Sequence, residues 1–304
     1  MPTVLIGGGT GMIGQRLSEL LSEKGYTVFH LSRKQNLKAQ YPAYQWNVEN
    51  GTIDEQAIQK ADYIINLAGA GIADKPWTTA RKKVITESRT KSTLLLKESV
   101  FKYQPNLKAY LSASAIGYYG DRGNEMLTEY SESGQTGFLT KSTLAWEDAI
   151  QEVAKLGVRT VGVRIGLVLS TKGGALPKLL LPTKLGTGGY FDSGSQWYAW
   201  VHIDDVCRLF IYALENETMN GFYNATAPYP ETNKEFTQKL GEALGKRLLM
   251  IPAPAFALRL GMGEMADTVL GSARVMPEKT LASGFEFQFP ELIPALKDIL
   301  EHNK

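Results

Sequence analysis

The 304-residue chain contains a single cysteine, Cys207. That excludes an intrachain disulfide and suits a reducing compartment. Cys207 lies inside the apolar helical run "DDVCRLFIYAL", so it reads as a core residue rather than a nucleophile. Histidine is almost as scarce. His30, His202 and His302 are too scattered to form a metal-binding pattern, and no metal is expected. Neither sign of charge dominates, because 33 lysines and arginines face 31 aspartates and glutamates. Net charge therefore gives no reason to expect nucleic acid or an anionic membrane as a partner. No apolar run approaches the ~20 residues of a membrane span. The start, "MPTVLIGGGTG", lacks the basic region and cleavage site of a secretory leader. These absences lead us to expect a cytoplasmic protein that acts on a small molecule, with homo-oligomer formation left open.

The residues that are present follow an alternating plan. Short β-branched or apolar runs recur: "TVLIGG" at the start, "YTVFHLS" from Tyr26, "DYIINLAG" from Asp62, "KAYLSASA" from Lys108 and "RTVGVRIGLVL" from Arg159. Such runs suit strands covered on both faces. Helical stripes separate them: Ile13, Leu17, Leu20 and Leu21; Leu94 to Leu96 with Val100; Trp146, Ile150 and Val153; Val206, Leu209, Phe210 and Ala213. The last of these helices is expected to be capped by Asp204 or Asp205. This βαβ alternation predicts an α/β fold with a doubly wound parallel sheet of Rossmann type. After Leu169 the composition shifts to glycine, proline and aromatics, so residues 169–304 are expected to form a smaller substrate domain. Residues 1–168 form the dinucleotide domain in this reading, with 201–226 returning to it.

The segment "GGGTGMIG" falls between the first strand and the first helix. Gly8, Gly11 and Gly14 fit G-x-x-G-x-x-G; Gly9, Gly11 and Gly14 also fit G-x-G-x-x-G. Both registers offer a tight turn, close backbone approach and a helix N-terminus that favours a pyrophosphate. Gly8, Gly9, Gly11, Met12, Ile13 and Gly14 are thus candidate cofactor contacts. At the end of the second strand, where an NAD site would usually carry an acid, "HLSRK" places Ser32 and Arg33. A guanidinium can donate to a 2′-phosphate that a carboxylate would repel, which favours NADP(H). Leu67, Ala68 and Gly69 in "NLAGAG" lack bulk and would let backbone approach the adenosine ribose.

With these segments in order, the chain resembles the extended short-chain dehydrogenase/reductase superfamily. "GGTGMIG", "DYIINLAGAG", "SASAIGYYGD", "VRIGLVLS" and "WVHIDDV" carry the resemblance. "PWTTARKKVITESRTKST" and "GEMADTVLGSARVMPEKTLASGFEFQFPEL" narrow it to the atypical epimerase-family proteins of family 39U. The resemblance implies a Rossmann-type fold, a smaller C-terminal domain and NADP(H) binding. It also implies a departure. Aligning Glu147 with the superfamily's glutamate puts Leu139 where the proton-transferring tyrosine stands and Thr143 where its lysine stands. Lys141 is out of register by two. Leucine cannot transfer a proton, so other groups are nominated: Tyr118, Tyr119, Ser112 and Ser114. Arg89, Trp197, Trp200 and His202 are nominated for the substrate cleft. The leading expectation is an NADP(H)-dependent oxidoreductase without the Tyr-x-x-x-Lys pair, acting on a small carbonyl or alcohol. A non-catalytic NADP(H) sensor and a nucleotide-sugar epimerase are the rivals, and the missing pair counts against the epimerase.

Overall fold

The computed structural model describes residues 1–104 and 106–301; His302 and the last two residues of the expected C-terminal domain lie outside the described residues. Eight strands form the central sheet: β1 (Thr3–Gly7), β2 (Thr27–Ser32), β3 (Ala43–Asn47), β4 (Thr52–Ile53), β5 (Tyr63–Asn66), β6 (Ala109–Ala115), β7 (Arg159–Ile165) and β8 (Gly221–Ala225). Their order is β8-β7-β6-β5-β1-β2-β3-β4, and every pairing is parallel except β3 with β4. Strand order reverses beside β1, which makes a crevice at the carboxyl ends of β1, β2 and β5. The sequence reading did not mark β3 and β4. Their buried Tyr44 and Trp46 are too widely spaced among polar neighbours to form an apolar run.

Two helical layers cover the sheet. Helix α1 (Met12–Glu23) packs on the later helix α5 (Ile203–Glu215); α2 (Thr79–Tyr103) packs on α3 (Phe138–Ala154). α1 buries Gly14, Leu17, Ser18 and Leu21, a single face at i, i+3, i+4 and i+7. α5 buries Val206, Cys207, Leu209, Phe210, Ala213 and Leu214. The Cys207 thiol is enclosed there, its Sγ 3.7 Å from the Ile13 carbonyl, and burial raises its pKa well above the ordinary thiol value. The expected aspartate cap of α5 is a correction: His202 is the N-cap, and its Nδ1 accepts from the Asp204 N–H at 3.1 Å. Asp204 instead pairs with Arg16 at 2.8 Å, and buried Asp205 accepts from the N–H groups of Gln288 and Phe289 at 2.8 and 2.9 Å. Those bonds tie the chain near its C-terminus back to the dinucleotide half.

Beyond β7 a second apolar core forms. It gathers Leu176 and Leu180 of α4 (Leu176–Lys184), Phe236 and Leu240 of α6 (Asn233–Ala243), and Leu292 and Leu296 of α7 (Leu292–Glu301). Small strand pairs stitch this part to the main body: Trp200–His202 beside Leu167–Leu169, and Arg274–Val275 beside Met126–Leu127. Among the described residues, no helix is long and apolar enough to cross a membrane.

Candidate active site

At the end of β1 the four glycines take separate roles. Gly8 has φ +78, and a Cβ there would lie 2.8 Å from the Leu67 backbone. It therefore makes the turn that seats the loop against the end of β5. A Cβ on Gly9 would come within 2.4 Å of the His30 ring, and one on Gly14 within 2.6 Å of the Gly8 carbonyl oxygen. Gly11 is different, because its nearest neighbour would be the Gly8 oxygen at 3.3 Å. Gly11 is also the N-cap of α1, with no side-chain cap and no acid in the first turn. The helix end, with its free N–H groups at Met12 and Ile13, is thus left open for an anion. Both glycine registers of the sequence are used, one for approach to β5 and the helix, the other for packing on β2.

His30 completes this cradle, and no sequence signal pointed to it. It is buried, and burial lowers its pKa to about 4. Ser18 Oγ donates to the Gly14 carbonyl at 2.6 Å and lies 2.8 Å from His30 Nε2. Since the one hydroxyl proton goes to Gly14, the neutral ring donates from Nε2 to Ser18. The glycine loop therefore rests on an uncharged imidazole.

On β2, Ser32 is half-buried and Arg33 exposed. Among the described residues the Arg33 guanidinium makes no ion pair, and the backbone carbonyl of Arg33 accepts from Gln45 at 3.3 Å. Leu67, Ala68 and Gly69 follow β5 and border the same crevice through the Gly8 turn. Three side chains of α2 hold the rest of that loop. Ser88 Oγ accepts from the Ala70 N–H at 3.0 Å, Arg89 donates to the Ala70 carbonyl at 3.0 Å, and Arg81 donates to the Gly71 carbonyl. These contacts make α2 a clamp on the β5 loop. Arg89 also donates to the Ile85 carbonyl at 2.8 Å and lies 5.1 Å from the Trp146 ring on α3. Burial, and secondarily the nearby charge of Arg81, lowers its pKa to about 10.

The nominated proton-transfer groups fall into a buried polar network. Glu147 of α3 and Arg164 of β7 form a bidentate pair, both bonds 2.8 Å, nearly closed to solvent. Ser114 Oγ donates to Glu147 at 2.6 Å. Arg164 donates to the Tyr119 hydroxyl at 3.1 Å, which itself donates to Asn224 Oδ1 at 2.8 Å. Burial raises the Tyr119 pKa to about 12, against the opposing pull of Arg164. Tyr118 is half-buried, with the Arg164 guanidinium 3.4 Å from its ring centroid. Ser112 is fully buried and donates to the Ala113 carbonyl at 3.0 Å. Ser112, Ser114 and Tyr119 are therefore spoken for by protein partners in this structure.

The cleft opens over α3 at the carboxyl ends of β6 and β7. Leu139 and Thr140 line a cavity of about 440 Å³ with Trp77, Phe138, Trp197 and Tyr198. A Cβ on Gly117 would be 3.1 Å from Thr143 Oγ1, which places the lysine-position residue beneath the loop after β6. Trp197 lies in this wall, but Trp200 is fully buried in the second core, its Nε1 donating to the Tyr229 carbonyl at 3.0 Å. His202 faces a different cavity of about 390 Å³ beside α1, where Nε2 stands 3.3 Å from Asp298 and the ring lies against Phe289. Arg89, Trp197, Trp200 and His202 thus do not share one cleft. Among the described residues no cluster of histidine, cysteine or carboxylates could hold a metal.

Residues 4–225 match the profile of the NAD dependent epimerase/dehydratase family. The chain belongs to the NAD dependent epimerase/dehydratase family. Residues 253–299 match a second profile, described as a domain of unknown function, DUF1731. Within the epimerase/dehydratase family, the chain is 34% identical to epimerase family protein YfhF of Bacillus subtilis, over 98% of this chain and 97% of that one. The crystal structure of human epimerase family protein SDR39U1, isoform 2, with NADPH superimposes with a TM-score of 0.88 at 35% identity, covering 98% and 99% of the two chains. A nucleoside-diphosphate sugar epimerase from Corynebacterium glutamicum superimposes with a TM-score of 0.80 at 30% identity, covering 99% of this chain and 59% of that one.

Proposed function

We propose that this family member is an NADP(H)-dependent oxidoreductase of the atypical extended short-chain type, acting on a small carbonyl or alcohol. One observation carries the cofactor choice: Arg33, exposed and without a carboxylate partner among the described residues, follows Ser32 at the end of β2, beside the open N-terminus of α1. That fork matches a 2′-phosphate and stacks on adenine, while the helix end takes the diphosphate. The NADPH in the human structure supports the same choice.

The chain's residues fit such a group, since bulk at Gly8, Gly9 or Gly14 would collide with the loop's own supports, whereas a Cβ on Gly11 would meet the Gly8 carbonyl oxygen at 3.3 Å. The cofactor would supply hydride exchange at its nicotinamide ring. Gly11, Met12 and Ile13 would hold the diphosphate, Ser32 and Arg33 the 2′-phosphate, and the Leu67–Gly69 backbone the ribose. Arg89, a half-buried cation beside that loop with no carboxylate against it among the described residues, would meet a ligand oxygen. Trp77 and Phe138, packed edge to face at 4.9 Å, would keep water from the cleft.

Leu139 in the tyrosine position favours a second reading, an NADP(H) sensor without turnover. Fluorescence titration with NADPH and NADH separates the cofactor question from the catalytic one. The reading requires NADPH to bind more tightly, with Arg33→Ala costing about tenfold or more for NADPH and little for NADH. Equal affinities, unmoved by Arg33→Ala, would remove it.

A further inference from the structure

The cavity over Leu139 suits a flat, uncharged occupant. Trp77, Phe138, Trp197 and Tyr198 line it with aromatic side chains, and Leu139 and Leu167 add apolar wall. Several of its polar tips are turned toward protein. Trp197 Nε1 donates to Asn124 at 2.7 Å, the Tyr198 hydroxyl to the Val269 carbonyl at 3.3 Å, and Thr268 Oγ1 to the Met265 carbonyl at 2.7 Å. Asp121 accepts from the N–H groups of Gly123 and Ser272 at 3.2 and 3.3 Å. Arg259, the cation of this lining, is paired with Asp267 at 2.9 Å. A nucleoside diphosphate would bring its charges to a wall whose guanidinium is already neutralised. A conjugated ring would find indole and phenyl faces to stack on.

Leu139 adds a chemical constraint. Hydride addition to an isolated ketone makes an alkoxide, about as basic as hydroxide, whose conjugate acid has a pKa of about 16. A proton must then arrive with the hydride, from a positioned acid. The tyrosine position holds a leucine, Tyr118 is not among the residues that line the cavity, the Tyr119 hydroxyl is given to Asn224, and the Ser114 hydroxyl to Glu147. A quinone reduced by hydride becomes instead a phenolate-like monoanion, whose conjugate acid has a pKa of about 10. The difference of about six units is roughly a millionfold in basicity, so solvent can supply the proton after transfer.

We infer that the acceptor is a planar conjugated dicarbonyl of the quinone class, which rests on the NADP(H) oxidoreductase reading. The step balances: hydride and its two electrons leave NADPH, which becomes NADP+. The quinone gains them as a hydroquinone monoanion, and one solvent proton completes the hydroquinone. Trp197 and Phe138 stack the ring, and Leu139 leaves room for it over α3 without taking part in proton transfer.

The test uses the full chain, with NADPH oxidation followed for phenanthrenequinone, cyclohexanone and UDP-glucose against no-protein controls. The quinone is expected to exceed cyclohexanone by ~100-fold or more in kcat/KM, the scale of a missing general acid. Leu139→Tyr is expected to narrow that ratio by ~10-fold. Without turnover, calorimetry on the NADP+ complex should show phenanthrenequinone binding that weakens ~10-fold in Trp197→Ala, and no UDP-glucose binding. Failure of NADPH itself to bind would fell the cofactor reading and this inference together. NADPH binding with no quinone reduction, or with cyclohexanone reduced equally well, overturns the quinone inference alone; the wild-type ratio decides even if Leu139→Tyr does not fold.

Discussion

Two arginines, buried Arg164 and half-buried Arg89, show how this molecule separates architecture from binding. Arg164 on β7 meets a carboxylate: burial, the largest single influence, lowers its pKa, but the bonds to Glu147, the charge of Glu147 and Tyr119 together outweigh burial and raise it. Arg89 on α2 meets two carbonyls and the charge of Arg81, and its pKa falls to about 10. A cation already neutralised by protein has nothing left to offer a ligand. One held only by dipoles still gains from an anion. The difference teaches that the glutamate of α3, retained where the tyrosine and lysine are gone, serves the fold through Arg164, Ser114 and Tyr119.

That contrast can be broken at either cation. The largest effect is expected from Glu147→Ala, which strands Arg164 in the core; urea unfolding should show a loss of about 3–5 kcal/mol. Arg89→Met should cost less, about 1–2 kcal/mol from two lost bonds to carbonyls, while reducing the rise in melting temperature that NADPH produces. An Arg89→Met protein protected by NADPH as well as wild type would place Arg89 with Arg164, as architecture.

A neutral group under the glycine loop gives the next test. The folded pKa of His30 lies at about 4, below the ordinary value of 6.5. Between these values the unfolded chain binds more protons, so stability rises with pH and is lost as pH falls from 6.5 toward 4. The share owed to His30 is about 1–2 kcal/mol after allowance for solvent screening. His30→Gln, which can still donate to Ser18 but does not titrate, should flatten the pH dependence of the urea midpoint in this window. An unchanged slope would assign it to other groups.

The smallest effect is expected on the surface. Lys82 of α2 pairs with Glu264 in the segment that carries residues 255–270 over the cleft. Both side chains are partly exposed, so Lys82→Ala should shift stability by less than about 1 kcal/mol. Salt should produce a similar shift in wild type.

Much of the fold could be read from local pattern. The apolar runs of β1, β2, β5, β6 and β7 are continuous because both of their faces are covered, and the "GGGTGMIG" loop names its own place between strand and helix. β3 escaped notice because Tyr44 and Trp46 alternate with polar neighbours at a sheet margin. The cap of α5 was misassigned for a similar reason: Asp204 and Asp205 are good caps by type, but each carboxylate has a stronger partner elsewhere, in Arg16 and in the backbone near Phe289. Among the nominated site residues, Tyr118 and Trp197 keep partly exposed rings, whereas Tyr119, Ser114 and Trp200 are enclosed.

By itself the sequence determined the alternation of strand and helix, the anion-seeking start of α1 and the basic end of β2. These are properties of residue type and short spacing, legible without knowing what lies across the molecule. Only the tertiary structure decided which glycine turns and which packs, why His30 is neutral, and which of the two arginines is already paired. Each of those depends on a partner met through the fold, Leu67 for Gly8, Ser18 for His30 and Glu147 for Arg164, and hydrogen bonding and desolvation act through space rather than along the chain.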